Sequence, residues 1–331
     1  MSDATGMVTI LRAHGRRLAK YVRSDGTVES HDSAKTFDMS EHIVASLDDL
    51  HSVLADLASR ADRCVVRGAI ADPTRTRGVR RLLHADPETG EQPTLRDVPR
   101  RWVALDLDSV PLPGYVNRES LFECGMHVSG LIPQEFRGCG FVVQATAQHC
   151  IAEGARLRLW FWLNRAVIGA ELKHWFRGCP VDFSAFTTAQ TCYTSSPIFE
   201  TGADILRKRL ELMPGPSSVH VPAPEALRPP PAPPPKPLPE IGDSRAENYA
   251  RAAMTNAASR ILAAPIGNRH RTILAEARSL HRLAAGGAVS EAHVRSVIEN
   301  AAVASGKTDL REIAALLGWA AQHTSGAAAH G

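Results

Sequence analysis

The sequence predicts an α+β or mixed α/β domain followed by an all-α bundle. Three observations lead there. Short β-rich runs interleave with amphipathic helical segments over residues 1–220, a proline-rich stretch interrupts the chain at 221–240, and beyond it strand signals vanish while alanine dominates.

The elements follow in order. SLDDLHSVLADLAS (46–59) places Leu47, Leu50, Val53, Leu54 and Leu57 at helical spacing, with Ser46 positioned to cap the N-terminus. RCVVRGAI (63–70) and RWVALDLDSV (101–110) are β-rich, as are FVVQAT (141–146) and RLRLWFWL (156–163), which a loop containing Gly154 separates. In the last of these, Trp160 and Trp162 alternate with Phe161, so at least one face of that strand belongs to a core. GAELKHWFRG (169–178) reads as a short helix. In VPAPEALRPPPAPPPKPLPE (221–240) the prolines fix φ and remove backbone donors, which predicts an extended, semi-rigid linker over 221–242. Beyond it, 245–263, 268–285, 290–304 and 309–322 each show helical periodicity. Asn268, Ser290 and Asp309 are natural N-caps there, and Gly286-Gly287 and Gly306 natural stops, so 243–325 reads as a bundle of four helices.

Composition narrows the partners. With 331 residues, 44% hydrophobic and 22% charged, the chain suits two globular domains. No segment approaches the roughly 20 apolar residues of a membrane span, and MSDATGMVTILRAHGRR carries no apolar signal core. The expectation is a cytoplasmic protein without a membrane partner. Cys64, Cys124, Cys139, Cys150, Cys179 and Cys192 form no C-x-x-C pair, so neither zinc nor a disulfide framework is expected. A net charge of +3 says little, but residues 74–101 carry seven arginines against four acids, an excess equal to that of the whole chain. Arg75, Arg77, Arg80 and Arg81 stand close together in TRTRGVRRLLH (74–84) without an acid. Such clusters draw nucleic-acid phosphates by counterion release; a basic loop that binds nothing is the alternative.

In RWVALDLDSV, alternation puts Val103, Leu105 and Leu107 on one face and Asp106 with Asp108 on the other, their α-carbons about 6.6 Å apart. Two carboxylates at that spacing repel unless a cation lies between them, and hard ions such as Mg²⁺ or Mn²⁺ prefer oxygen donors. By itself the pair is equally an acidic solvent face.

The stretches VALDLD (103–108), CPVDFSAF (179–186) and QTCYTSSPIF (190–199) resemble motifs of the archaeo-eukaryotic primase superfamily, especially the primase–polymerases of bacterial mobile elements. GNRHRTILAEARSLHRLAAGG (267–287) is similar to the helical C-terminal domain of such primases. The resemblance implies a catalytic domain over 1–220 with a divided, mostly antiparallel sheet. It implies Asp106, Asp108 and Asp182 as ligands of two Mg²⁺ or Mn²⁺ ions, and DNA-dependent primer synthesis or extension in replication of a mobile element or plasmid. Single-stranded DNA and nucleoside triphosphates are then the substrates, and a replicative helicase is a further partner the reading allows. The family's Ser-x-His strand is altered here. Arg158 falls where its phosphate-binding histidine belongs, Arg156 shares that face, Thr146 offers a hydroxyl, and His149 lies in the adjoining loop. Arginine binds phosphate bidentately, so the change of residue is chemically reasonable. Arg67, followed by Gly68, resembles a recurrent pair of this group and joins Arg75, Arg77, Arg80 and Arg81 as an expected DNA contact. The altered strand keeps a second reading open: a non-catalytic DNA-binding replication factor that retains the fold.

Overall fold

The long strands Arg100–Val110 and Ala155–Val167 pair antiparallel at the centre of the first of two units. The computed structural model describes residues 4–86, 89–200, 204–228, 244–264, 268–307 and 309–325, and the chain divides into Met1–Pro231 and Ala232–Gly331.

In the first unit, one antiparallel sheet runs in the spatial order Leu210–Met213, Phe141–Ala145, Ala155–Val167, Arg100–Val110. Another runs Thr191–Cys192, Arg63–Val66, Met7–Arg12, Asp38–Ile43. A smaller sheet holds a parallel pair, Ile198–Phe199 with Tyr21–Val22. The unit is therefore α+β and mostly antiparallel, with its strands divided among sheets.

The central sheet is buried on both faces. On one, Val103, Leu105, Leu107, Leu159 and Phe161 share a core with Leu121 and Val128 of the helix Leu121–Ser129 and with Leu172 of Gly169–Trp175. On the other, Trp102, Ala104, Trp160 and Trp162 pack with Val8, Ile10 and Val65 of the second sheet and with Leu50 and Leu54 of the helix Leu47–Ala58. Two-sided burial explains why RLRLWFWL is a nearly continuous apolar run, for neither face is left to water. Each fully buried side chain of this size contributes about 1.5–3 kcal/mol. Ser46 caps Leu47–Ala58 as expected, its hydroxyl accepting from the Asp49 amide at 3.1 Å. Val219, Val221 and Leu227 belong to the first unit's core, so ordered packing continues past residue 220. Residues 229–243, most of the proline-rich stretch, lie outside the described residues.

The second unit is helical: Ser244–Ala263, Arg269–Ala285, Glu291–Ala304 and Leu310–Ser325. Ile261, Ile273, Leu280, Val294, Ile298, Ile313 and Leu317 form its core. Ser290 and Asp309 cap through their side chains; Asn268 stands at its cap position without a side-chain cap bond. Among the described residues no helix is long and apolar enough to cross a membrane.

Candidate functional site

On the face of the central sheet that meets the second sheet, each strand changes character as it runs outward. Trp102 and Ala104 give way to Asp106 and Asp108; Trp162 and Trp160 give way to Arg158 and Arg156; Val142 is followed by Gln144 and Thr146. The registers Asp106↔Arg158 and Arg158↔Gln144 align three of these into one polar row across the sheet. Where the apolar core stops, a cavity of about 360 Å³ opens, lined by Asp106, Asp108, Asp182, Arg158, Gln144 and Thr146. Thr191, Cys192 and Tyr193 from the edge of the second sheet line it as well.

The alternation that predicts Asp106 and Asp108 on one face breaks just beyond Asp108. Pairing of Ala155 with Val110 and of Leu157 with Leu107 leaves an extra residue in Arg100–Val110, a β-bulge around Asp108 and Ser109. Ser109 takes φ +58°, a left-handed conformation that a non-glycine residue enters at some cost. Gly154 (φ +74°) lies against this bulge, and a Cβ there would stand 2.8 Å from the Val110 carbonyl oxygen, so only glycine lets the loop approach. Asp108, at the bulge, has a side chain 63% exposed, while Asp106 stays half-buried.

The third carboxylate arrives from a distant segment. The Asp182 amide donates to the Asp106 carbonyl oxygen at 2.9 Å. Its side chain caps the short turn Phe183–Phe186, accepting from the Ser184 amide at 2.8 Å and the Ser184 hydroxyl at 2.6 Å. Partial burial, and then the charge of Asp106, push the Asp108 carboxyl above its usual range. Three oxygen donors in one cavity, with Asp106 and Asp108 repelling, are chemistry that suits a hard divalent cation. Among the described residues, no three His, Cys, Asp or Glu side chains are grouped closely enough to hold a metal as they stand.

The arginines expected to meet phosphate are engaged with the protein. Arg158 donates to Asp106 Oδ2 at 2.6 Å and to the Tyr193 carbonyl at 2.7 Å, tying the two sheets together. Burial acts against its charge, but Asp106 and the hydrogen bond outweigh that and hold the guanidinium protonated. Arg156 donates to the Ser109 hydroxyl at 2.6 Å and lies 3.7 Å from Asp108, so it braces the bulge.

Other expectations are corrected. His149 is no cavity ligand: it is fully buried, its Nδ1 accepting from the Arg156 amide at 3.2 Å and its Nε2 donating to the Arg118 carbonyl at 2.9 Å. Arg67 does not reach outward to DNA. Its side chain runs into the interior, is 2% exposed, and donates to the carbonyls of Trp102 (2.8 Å) and Val167 (2.5 Å). Of the clustered arginines, Arg80 is held by Glu91 at 2.6 Å and Asp86 at 2.5 Å. Arg81 donates to the Ala189 carbonyl and lies over the Phe37 ring. Arg75 is half-buried with Glu91 4.0 Å away, and Arg77 is exposed. The acids that neutralise Arg80 lie just outside the acid-free window, which is why the sequence pattern overstates the patch.

The burial of His149 has a measurable consequence. Burial lowers its pKa from the ordinary 6.5, so the native state holds it neutral while the unfolded chain protonates. Its contribution is therefore complete above the ordinary value and is lost as pH falls below it. Against His149→Gln, the wild type should lose extra stability between pH 7 and 5, at a slope of at most about 1.4 kcal/mol per pH unit. Parallel chemical denaturation at several pH values measures this. Equal pH dependence in both proteins would refute it.

Gln144, Lys20, His31 and Tyr193 are among the cavity residues to which the sequence assigns no role. Gln144 carries a signal, a lone amide inside an apolar strand; its Nε2 donates to the Thr194 carbonyl at 2.7 Å. Lys20 and His31 lie where no periodic pattern marks them. No family model, curated protein or solved structure matches the chain.

Proposed function

We propose that the chain is a primase–polymerase: a nucleotidyltransferase that starts or extends a primer on single-stranded DNA. The observation that carries this reading is that Asp106, Asp108 and Asp182, of which the last is remote in sequence, line one polar cavity. Those are the three carboxylates that the resemblance to the archaeo-eukaryotic primase superfamily singles out. The divided, mostly antiparallel sheet fits such a catalytic domain. Drawn closer than they stand, Asp106, Asp108 and Asp182 would hold Mg²⁺ or Mn²⁺, which would supply charge stabilisation to the reaction. In the reaction a primer 3′-hydroxyl attacks the α-phosphate of an incoming nucleotide and pyrophosphate leaves. Arg158 sets the position of Asp106, Arg156 and the bulge present Asp108, and Ser184 orients Asp182.

A second reading, a DNA-binding replication factor without catalysis, is favoured by one observation: the Arg158 guanidinium occupies Asp106 at 2.6 Å. One experiment separates the two. The full chain is incubated with primed and unprimed single-stranded DNA, labelled nucleotides, and Mg²⁺ or Mn²⁺. Extended or newly made strands are the expected result, and no product with either metal leaves the non-catalytic factor.

A further inference from the structure

The Arg158 and Arg156 guanidiniums are turned onto Asp106, Tyr193, Ser109 and Asp108. If a phosphorylated substrate enters this cavity, its negative charge needs other cations. The same cavity is lined by one such cation, Lys20, and by the His31 imidazole, a hydrogen-bonding ring, both from the segment that follows the first strand of the second sheet. Lys20 directly precedes the short strand Tyr21–Val22 and is half-buried. Its backbone carbonyl accepts from the Ile198 amide at 2.9 Å, which fixes the main chain beside the cavity. Among the described residues its ammonium makes no hydrogen bond or ion pair.

His31 is held by packing. Its ring meets Tyr193 edge-on, with centroids 3.6 Å apart, and its Nδ1 is buried without a hydrogen-bond partner. A buried ring nitrogen left unpaired is costly unless something else satisfies it. The other nearby cation, Arg17, is occupied, donating to the Ser30 carbonyl at 3.0 Å and lying near Glu29 and Asp32.

We infer that Lys20, assisted by His31, forms the phosphate-binding subsite of this cavity and receives the polyphosphate tail of a nucleotide. The inference rests on the cavity being the substrate site proposed above, and it assigns to these two residues the role that the sequence pattern gives to Arg158. An ammonium on a flexible stem is a compact point charge that can follow a polyphosphate. A cavity of about 360 Å³ is of a size to admit one nucleotide.

The test is calorimetric titration of the full chain with inorganic tripolyphosphate in Mg²⁺ buffer, and separately with a single-stranded oligonucleotide. Lys20→Ala should weaken tripolyphosphate binding by about ten- to a hundredfold, the effect of losing one charged hydrogen-bonding group. Oligonucleotide affinity should change little. Lys20→Arg should keep most of the tripolyphosphate affinity, and His31→Phe, which retains a ring against Tyr193, should lose it several-fold. Unchanged melting temperatures would show that the variants fold. Tripolyphosphate affinity unchanged in Lys20→Ala, or none in the wild type, overturns the subsite; a loss confined to the oligonucleotide overturns it in favour of a backbone contact. If binding depends on Lys20 but the wild type makes no DNA product, the subsite stands and the polymerase reading falls.

Discussion

Asp108→Asn is expected to abolish nucleotide addition while leaving the fold intact. Asp108 sits on the bulge at the cavity's mouth with its side chain 63% exposed, so little packing is lost with its charge. Surface changes of this kind usually stay within about 0.5 kcal/mol. Ionised Asp108 is also disfavoured by its surroundings, since burial and Asp106 both raise its pKa. Neutralising it relieves that repulsion and should not lower the melting temperature. Activity is another matter. Under the proposed function Asp108 would hold the cation that offsets transition-state charge, and losing such stabilisation lowers rates by about a hundredfold or more. Single-turnover primer extension by the variant and by wild type, beside their melting curves, makes the comparison. Extension at the wild-type rate would remove Asp108 from the chemistry.

Arg158→Ala should behave in the opposite way, as a stability mutant first. The side chain is 9% exposed, and of its partners Asp106 lies in the central sheet while Tyr193 directly follows the edge strand Thr191–Cys192 of the second. Removing one member of a buried ion pair costs about 3–5 kcal/mol, because the other charge is left without its counterion. Asp106 is 22% exposed, so water recovers part of that and the low end of the range is expected. Urea denaturation gives the loss directly. In a double-mutant cycle with Asp106→Ala, the two losses should fall short of adding, since each removes the same interaction. A variant as stable as wild type, with only a higher KM for nucleotide, would return Arg158 to the phosphate-binding role that its place in the sequence suggests.

Arg158 also shows where sequence reasoning stops. Its alternation with Arg156 and its place on a β-rich run were legible, because side-chain direction along a strand is a local property. Its partners were not. Asp106 lies 52 residues away and Tyr193 35 residues away, and only strand register and the meeting of two sheets bring them to it. Arg67 went the same way. A basic residue at the end of an apolar run reads as exposed, whereas here the Trp102 and Val167 carbonyls accept its hydrogen bonds inside the first unit.

Features that depend on neighbours a few residues apart are legible in the chain before it folds. The capped helix Leu47–Ala58, the strands within RWVALDLDSV and RLRLWFWL, and the four helices after the proline-rich stretch all follow from residue pattern and caps. Alternation along the strand also pointed to Asp106 and Asp108, and the resemblance added Asp182. It took the folded chain to show that all three line one cavity, that a bulge interrupts the strand at Asp108 and Ser109, and that Arg158 and Arg156 serve the carboxylates. The tertiary structure alone placed Lys20 and His31 beside them. The physical reason is that a charge is defined by its surroundings. Burial and the nearest counter-charge set what a side chain can do, and both come from segments that meet only once the chain has folded.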